Sequence, residues 1–426
     1  MNNLLIKNGH VIDPANNIDK DLDIYIENGK IKEIGEHLPN ADTVVDASGK
    51  IVSPGLVDMH CHLREPGEEY IEDVTTGSRS AAVGGFTSIA CMPNTDPVVD
   101  NGSVVRFIKS RPAYVNVYPI GAITMGQKGE TLSLMAEMKK EGIVAVSEDG
   151  KSVKNSGILR MAMEYASNFN LPVIEHCEDK DLGAEGVMNE GYYSTILGLK
   201  GLNKAVEENI IARDILIAED DNQSVHIAHA TTKGGIELIR QAKARGVHVT
   251  CETCPHYFSL TEEAVDGFNT FAKISPPLRT KEDVAAIKEG LKDGTIDAIA
   301  TDNAPHHINE KNCEFVIAKN GMVGFETALG LGITNLVEEG VLTLSELITK
   351  MSYNPAQILH LDKGTLGIGK DADITIFDAN SEWVVDVNKF ASKAKNSPLD
   401  GVKLKGKACM TIVGGKITAE DGKIVV

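Results

Sequence analysis

Four histidines and two aspartates in this 426-residue chain are placed where they could hold metal ions. His60 and His62 flank Cys61 at the end of the apolar stretch Leu56 to His62. Side chains two apart on a β-strand share a face, so this pair presents two imidazoles side by side from one rigid element. Arg64 follows as the strand opens into a loop, a cation close to whatever the histidines hold. A lone His-x-His is as often a pair of ordinary strand histidines, so the reading depends on partners elsewhere. Asp149 in Glu148-Asp149-Gly150, His176 after Glu175, His229, and Asp302 after Thr301 supply them. Imidazole nitrogen and carboxylate oxygen suit zinc or a similar divalent ion. Six such donors exceed one tetrahedral ion, and a carboxylate can bridge two ions about 3.5–4 Å apart. Such ions acidify water and polarise a carbonyl, so the chemistry indicated is metal-assisted hydrolysis.

The elements that must position these residues alternate. Apolar strand candidates run from Leu56 to His62, Thr87 to Met92, Val115 to Ala122, Ile143 to Ser147, Pro172 to His176, Val225 to His229, Val247 to Cys251 and Ala298 to Thr301. Amphipathic stretches separate them, among them Ser133 to Glu141, Gly157 to Asn168, Ala205 to Ala218, Gly235 to Arg245 and Lys281 to Asp293. Eight strands alternating with helices over about 300 residues predict an α/β fold, a (β/α)8 TIM-like barrel spanning 53–358. An open doubly wound sheet is the competing architecture, and no G-x-G-x-x-G follows an early strand to support it. Barrel enzymes work at the C-terminal ends of their strands, and five of the eight predicted ends carry His or Asp. Both chain ends are instead rich in short strands and Asn-Gly or Gly-Gly turns: Asn8-Gly9, Asn28-Gly29, Gly414-Gly415. Residues 1–52 and 359–426 therefore predict a small composite β-sandwich domain formed by both termini.

A formal charge of −19 argues against general affinity for nucleic acid or anionic lipid. An anionic substrate would need a local positive site, which Arg64 offers. No run approaches the roughly 18 apolar residues of a membrane span, and the N-terminus lacks a signal-peptide layout. Seven scattered cysteines, an odd number, fit a reduced cytoplasmic protein better than a disulfide framework. Cys251-Glu252-Thr253-Cys254 is a C-x-x-C without the second pair that a structural zinc site needs.

Several runs carry a family resemblance: Asp58-Met59-His60-Cys61-His62-Leu63-Arg64-Glu65-Pro66-Gly67, Met92-Pro93-Asn94-Thr95, Glu148-Asp149-Gly150, Ser275-Pro276-Pro277-Leu278-Arg279 and Ala300-Thr301-Asp302-Asn303-Ala304-Pro305-His306. With Glu175-His176 and His229 they resemble the amidohydrolase superfamily, and within it the dihydroorotases, over essentially the whole length. The resemblance implies two Zn2+ per subunit, His60 and His62 on one and His176 and His229 on the other, bridged by Asp149 and a hydroxide. Many relatives use a carboxylated lysine as the bridge. Here Lys151 and Lys154 fall beyond the strand end, and Glu148 is the neighbour that could be confused with Asp149. Asp302 would touch the first metal and act as general base, then general acid. Arg64, Asn94 and His306 would grip a substrate carboxylate, with His62, Ser275, Asn320 and Gly321 completing the substrate-binding set. Ser275 stands where the family usually has Asn, Asn303 replaces a common His, and Lys319-Asn320-Gly321 replaces Pro-Phe-Gly.

The implied reaction interconverts (S)-dihydroorotate and N-carbamoyl-L-aspartate in pyrimidine synthesis. The rivals are another cyclic amide hydrolase (dihydropyrimidinase, hydantoinase or allantoinase) and a non-catalytic scaffold for aspartate transcarbamoylase. A homodimer and an association with that transcarbamoylase are the partnerships implied, and Gly121 to Glu130 is the candidate mobile substrate loop.

Overall fold

The computed structural model describes residues 3–425. Eight parallel strand segments follow one another around a barrel: Leu56–Cys61, Phe86–Cys91, Asn116–Pro119 continuing into Gly121–Ala122, Val146–Ser147, Val173–Glu175, Val225–Ile227, Val249–Thr253 and Ala298–Ile299. Each pairs in parallel with the next. Closure from the eighth back to the first is made by loop and side chain. Asn303 bridges Cys61, the His62 N–H donates to the Asn303 carbonyl at 2.9 Å, and buried Asp58 accepts from the Thr301 backbone N–H (2.9 Å) and hydroxyl (2.5 Å). Met59, Ala90, Met92, Ile120, Ala145, Ile174, Ala228 and Ala300 fill one buried cluster.

The helices between the strands start at side-chain caps. Lys281–Asp293, expected over those same residues, begins at Thr280, whose hydroxyl accepts from the Asp283 N–H while the Asp283 carboxylate accepts from Thr280. It stops at Gly294, whose φ of 84° suits glycine.

Strands from the two ends of the chain meet in one nine-stranded sheet. Its order runs Lys423–Ile424, Lys416–Glu420, Lys403–Val413, Ile374–Val384, Ile51–Pro54, Leu4–Asp13, Ile18–Glu27, Lys30–Gly35, with Thr43–Asp46 also beside Leu4–Asp13. The N- and C-terminal strands join where Ile376 faces Val52. Ile6, Ile24, Val52, Ile374 and Ile412 form its own core, each contributing about 1.5–3 kcal/mol by burial. Asn28-Gly29 makes the expected hairpin, with φ of 55° and 77°, the left-handed pair a type I′ turn requires.

Asn8-Gly9 does not turn. Leu4–Asp13 is a single strand whose two halves both pair with Ile18–Glu27, and the register shifts between Ile6 and Gly9. The Asn-Gly there is a bulge, and a Cβ on Gly9 would lie 2.4 Å from Cγ2 of Val52.

Candidate metal centre and substrate pocket

His60 and His62 leave the first barrel strand on the same side, while Cys61 between them points away and donates to the Ala90 carbonyl. Nε2 of His60 lies 3.3 Å from Oδ1 of Asp149 and 3.6 Å from Oδ1 of Asp302. Nε2 of His62 lies 3.1 Å from Asp302 and 3.5 Å from the other Asp149 oxygen. His176 brings Nδ1 to 3.7 Å from Asp149 and 2.9 Å from Nε2 of His229. All six side chains are buried and converge at the C-terminal mouth of the barrel. The compact donor groups are His60, Asp149 and His229, and His60, His62 and Asp302.

The cluster fits divalent metal. Ligand atoms each about 2.0–2.2 Å from one tetrahedral ion stand roughly 3.3–3.6 Å apart, and the separations here, 2.9 to 3.7 Å, bracket that spacing. Nε2 of His60 is buried with no hydrogen-bond partner, a cost that a coordinated ion would remove.

Each of three histidines has its other nitrogen occupied, which selects the tautomer. Nδ1–H of His60 donates to Glu252 at 2.7 Å, Nδ1–H of His62 to Oδ1 of Asn94 at 3.0 Å, and Nε2–H of His176 to Glu178 at 3.0 Å. The nitrogens thereby turned towards the aspartates are His60 Nε2, His62 Nε2 and His176 Nδ1, the ones that would offer a lone pair to a metal. Asn94 also donates to Asp149 at 3.1 Å, so it spans a histidine and the central carboxylate.

Electrostatics follow from this packing. Burial disfavours the charge on Asp149, yet His60, His62 and His176 hold it well below the usual carboxylate range. Burial likewise opposes ionisation of Asp302, and the His62 contact with His60 nearby outweighs it. His229 is pushed down to about 3 by burial and by His176 and His60, so it is a neutral donor. Arg64, His229 and Asp302 have φ of 59°, 32° and 45°, a left-handed conformation uncommon for residues other than glycine and concentrated at functional sites.

Glu148 and Asp149 separate cleanly. Glu148 turns away to accept from the backbone N–H and hydroxyl of Thr124. Lys151 and Lys154 are exposed, the first donating to the Gln127 carbonyl and the second paired with Asp181. Of the loop Gly121 to Glu130, Gln127 is buried and donates to the Asp149 carbonyl, and residues 126–130 line a cavity of about 730 Å³ beside the mouth.

Arg64 lies at the rim without an ion pair to Glu65, which instead holds Arg111 and the Val74 N–H. Its Nε donates to the Pro305 carbonyl at 3.0 Å, and Nη2 lies 3.3 Å from Nε2 of His306. That nitrogen is 2.7 Å from the Asn320 carbonyl. Burial and the adjoining Arg64 and Lys311 charges press the His306 pKa down to about 2, so the ring is neutral and donates Nε2–H to Asn320. Gly321 closes this rim with φ of 135°, and a Cβ there would meet Ala304 at 2.7 Å. The Ser275 side chain makes no hydrogen bond among the described residues; its loop is held by the Tyr257 hydroxyl on the Pro276 carbonyl at 2.7 Å.

Glu252 and Glu178 are functional neighbours that the sequence reading missed. The seventh strand continues to Thr253 rather than stopping at Cys251. Its inward positions are Thr250 and Glu252, both bonded to His226. An acidic residue at an inward strand position was the available signal, masked by the flanking cysteines, which are buried and free.

A family profile described as "Dihydro-orotase-like" matches residues 49–235, and one described as "Amidohydrolase family" matches 279–419. A protein named dihydroorotase from Acetivibrio thermocellus is 59% identical over 98% of this chain and 99% of its own length. Another of that name from Geobacter metallireducens is 57% identical over 97% and 99%. Among solved structures, L-hydantoinase (dihydropyrimidinase) from Arthrobacter aurescens superposes with a TM-score of 0.90 at 27% identity, covering 100% of this chain and 98% of that one. Dihydropyrimidinase from Brevibacillus agri superposes with 0.88 at 22% identity, covering 99% and 96%.

Proposed function

The chain belongs to the dihydroorotases of the amidohydrolase superfamily, and from that premise we propose how its buried histidine–aspartate cluster does the chemistry. The activity is dihydroorotase, the reversible hydrolysis of (S)-dihydroorotate to N-carbamoyl-L-aspartate in pyrimidine biosynthesis.

In this reading His60, His62, Asp149, His176, His229 and Asp302 are the residues that would hold two zinc ions. When bound, the ions supply an acidified water as nucleophile and Lewis acidity towards the ring carbonyl. The chain's own residues do the rest. Asp302, kept ionised among the histidines, accepts the proton of the attacking water and returns it to the departing ring nitrogen. Glu252, Asn94 and Glu178 fix the tautomers of His60, His62 and His176 so that no imidazole must reorient during turnover. Residues 53–358 form the catalytic unit, with 1–52 and 359–426 as the accessory β unit, in a cytoplasmic enzyme.

The observation that carries the substrate assignment is the Arg64–His306 pair at the rim. The guanidinium fork suits the carboxylate of dihydroorotate, with His306, Ser275, Asn320 and Gly321 along the same edge of the ring. Hydantoin, dihydrouracil and allantoin carry no such carboxylate. Comparing kcat/KM for these four substrates tests the assignment. Dihydroorotate should lead by at least a hundredfold, and equal or better turnover of a neutral ring would remove Arg64 from substrate recognition.

A further inference from the structure

We propose that Asn396, on the C-terminal segment outside the barrel, is a positioning residue that sets the shape of the substrate-carboxylate pocket. Its buried side chain joins the two loops that form the rim. Nδ2 donates to the Ala304 carbonyl at 3.0 Å and to the Gly321 carbonyl at 3.1 Å, and Oδ1 accepts the His306 N–H at 3.0 Å. Its backbone carbonyl accepts the Val323 N–H at 2.9 Å. One amide thus fixes the main chain of His306 and of Gly321, between which the His306 ring reaches the Asn320 carbonyl.

The fit is specific to a carboxamide. Both N–H groups and the oxygen are used, so an isosteric carboxylate would face two carbonyl oxygens with no proton to offer them. Asn396 is itself held from behind, because the segment before it is bound to the barrel helices. Arg79 donates to the Ala391 carbonyl through Nε at 2.9 Å and Nη2 at 2.5 Å, and Glu326 accepts the Ala391 N–H at 2.7 Å. On the opposite side of Gly321, fully buried Lys311 donates to the same carbonyl at 3.0 Å and to those of Lys319 and Lys273. The glycine carbonyl is clamped from both directions, and the imidazole facing Arg64 is placed by contacts 90 residues away in sequence.

The inference rests on the assignment of the dihydroorotate carboxylate to Arg64 and His306. Positioning matters steeply there, since a shift of about 1 Å in a substrate-orienting group can cost two orders of magnitude. Asn396→Ala and Asn396→Asp are to be compared with wild type by KM and kcat for dihydroorotate, with circular dichroism melting as the control for folding. Folded Asn396→Ala should raise KM at least tenfold while kcat stays within about threefold, and Asn396→Asp should raise KM at least as much despite its identical shape. Wild type without dihydroorotase turnover would overturn the substrate assignment and this inference with it. An active wild type beside either folded variant with KM within twofold of it overturns the inference alone. A loss confined to kcat, or failure of both variants to fold, assigns Asn396 to general stability and overturns it too.

Discussion

Nδ1 of His60 lies 2.7 Å from a carboxylate oxygen of Glu252, and both side chains are wholly buried. The other Glu252 oxygen is 3.3 Å from Nε2 of His226, so the carboxylate spans two imidazoles. Burial alone would keep Glu252 neutral, but His60 and His226 pull its pKa down to about 2. A carboxylate behind a metal-facing histidine fixes the ring and raises its basicity, and its loss typically costs 10- to 100-fold in metal affinity. Glu252→Gln should therefore lose bound metal to a chelator at concentrations that leave wild type loaded, and excess metal should restore most of its activity. Unchanged chelator resistance would detach Glu252 from the metal centre.

Arg64 makes the second prediction. Truncating a hydrogen-bonded charge that becomes buried against an opposite charge on binding costs on the order of 2–5 kcal/mol, and half-buried Arg64 is covered only when the substrate carboxylate sits on it. Arg64→Met should raise KM for dihydroorotate at least thirtyfold. Arg64→Lys should recover only part of that, since an ammonium cannot reproduce the Nε bond to Pro305 and a fork towards the carboxylate together. Full recovery by lysine would mean that charge alone, without geometry, recognises the substrate.

What could be read in the chain beforehand, and what could not, divides by sequence distance. The barrel and the inward histidines have local signatures, because strand alternation and helix periodicity are written over five to fifteen neighbouring residues. The convergence of the four histidines and two aspartates followed because each member ends a strand of that repeat. Asn8-Gly9 and Asn28-Gly29 carry the same local signal, yet only the second turns. The first is overruled by a neighbouring strand that pairs on both sides of it and by Val52 against Gly9. The partners of the ligands are less visible still. Glu252 is 192 residues from His60, and its role exists only once the barrel closes. Asn94 had a motif to announce it in the carboxylate grip, but nothing local announced its bonds to His62 and Asp149.

Asp302→Asn addresses the proton transfer. The carboxamide keeps the shape of the side chain and its place beside His62 but cannot shuttle a proton at neutral pH. General acid–base contributions are about 10²–10⁴-fold, so kcat should fall by at least two orders of magnitude. Folding and the metal held on the His176 and His229 side should be roughly retained, as measured by melting temperature and metal content per subunit. Near-wild-type turnover in a loaded Asp302→Asn enzyme would take Asp302 out of the catalytic role.

Glu326 predicts a stability effect far from the chemistry. Its carboxylate accepts from Ser80 and from the Ala391 and Ser392 N–H groups, all through one oxygen. Burial outweighs those bonds and raises its pKa to about 7. The unfolded chain releases this proton near pH 4.3, so between about pH 4.3 and 7 the folded state binds a proton the unfolded state lacks. Stability therefore falls as pH rises through that window, and above pH 7 the full penalty, on the order of 3–4 kcal/mol, remains. Glu326→Gln keeps an oxygen for Ser80 and Ala391 and removes the titration. Its melting temperature should exceed that of wild type at pH 8.5, and the difference should shrink towards zero near pH 4.5. A variant equally destabilised at both pH values would show that Glu326 stabilises the fold as a carboxylate.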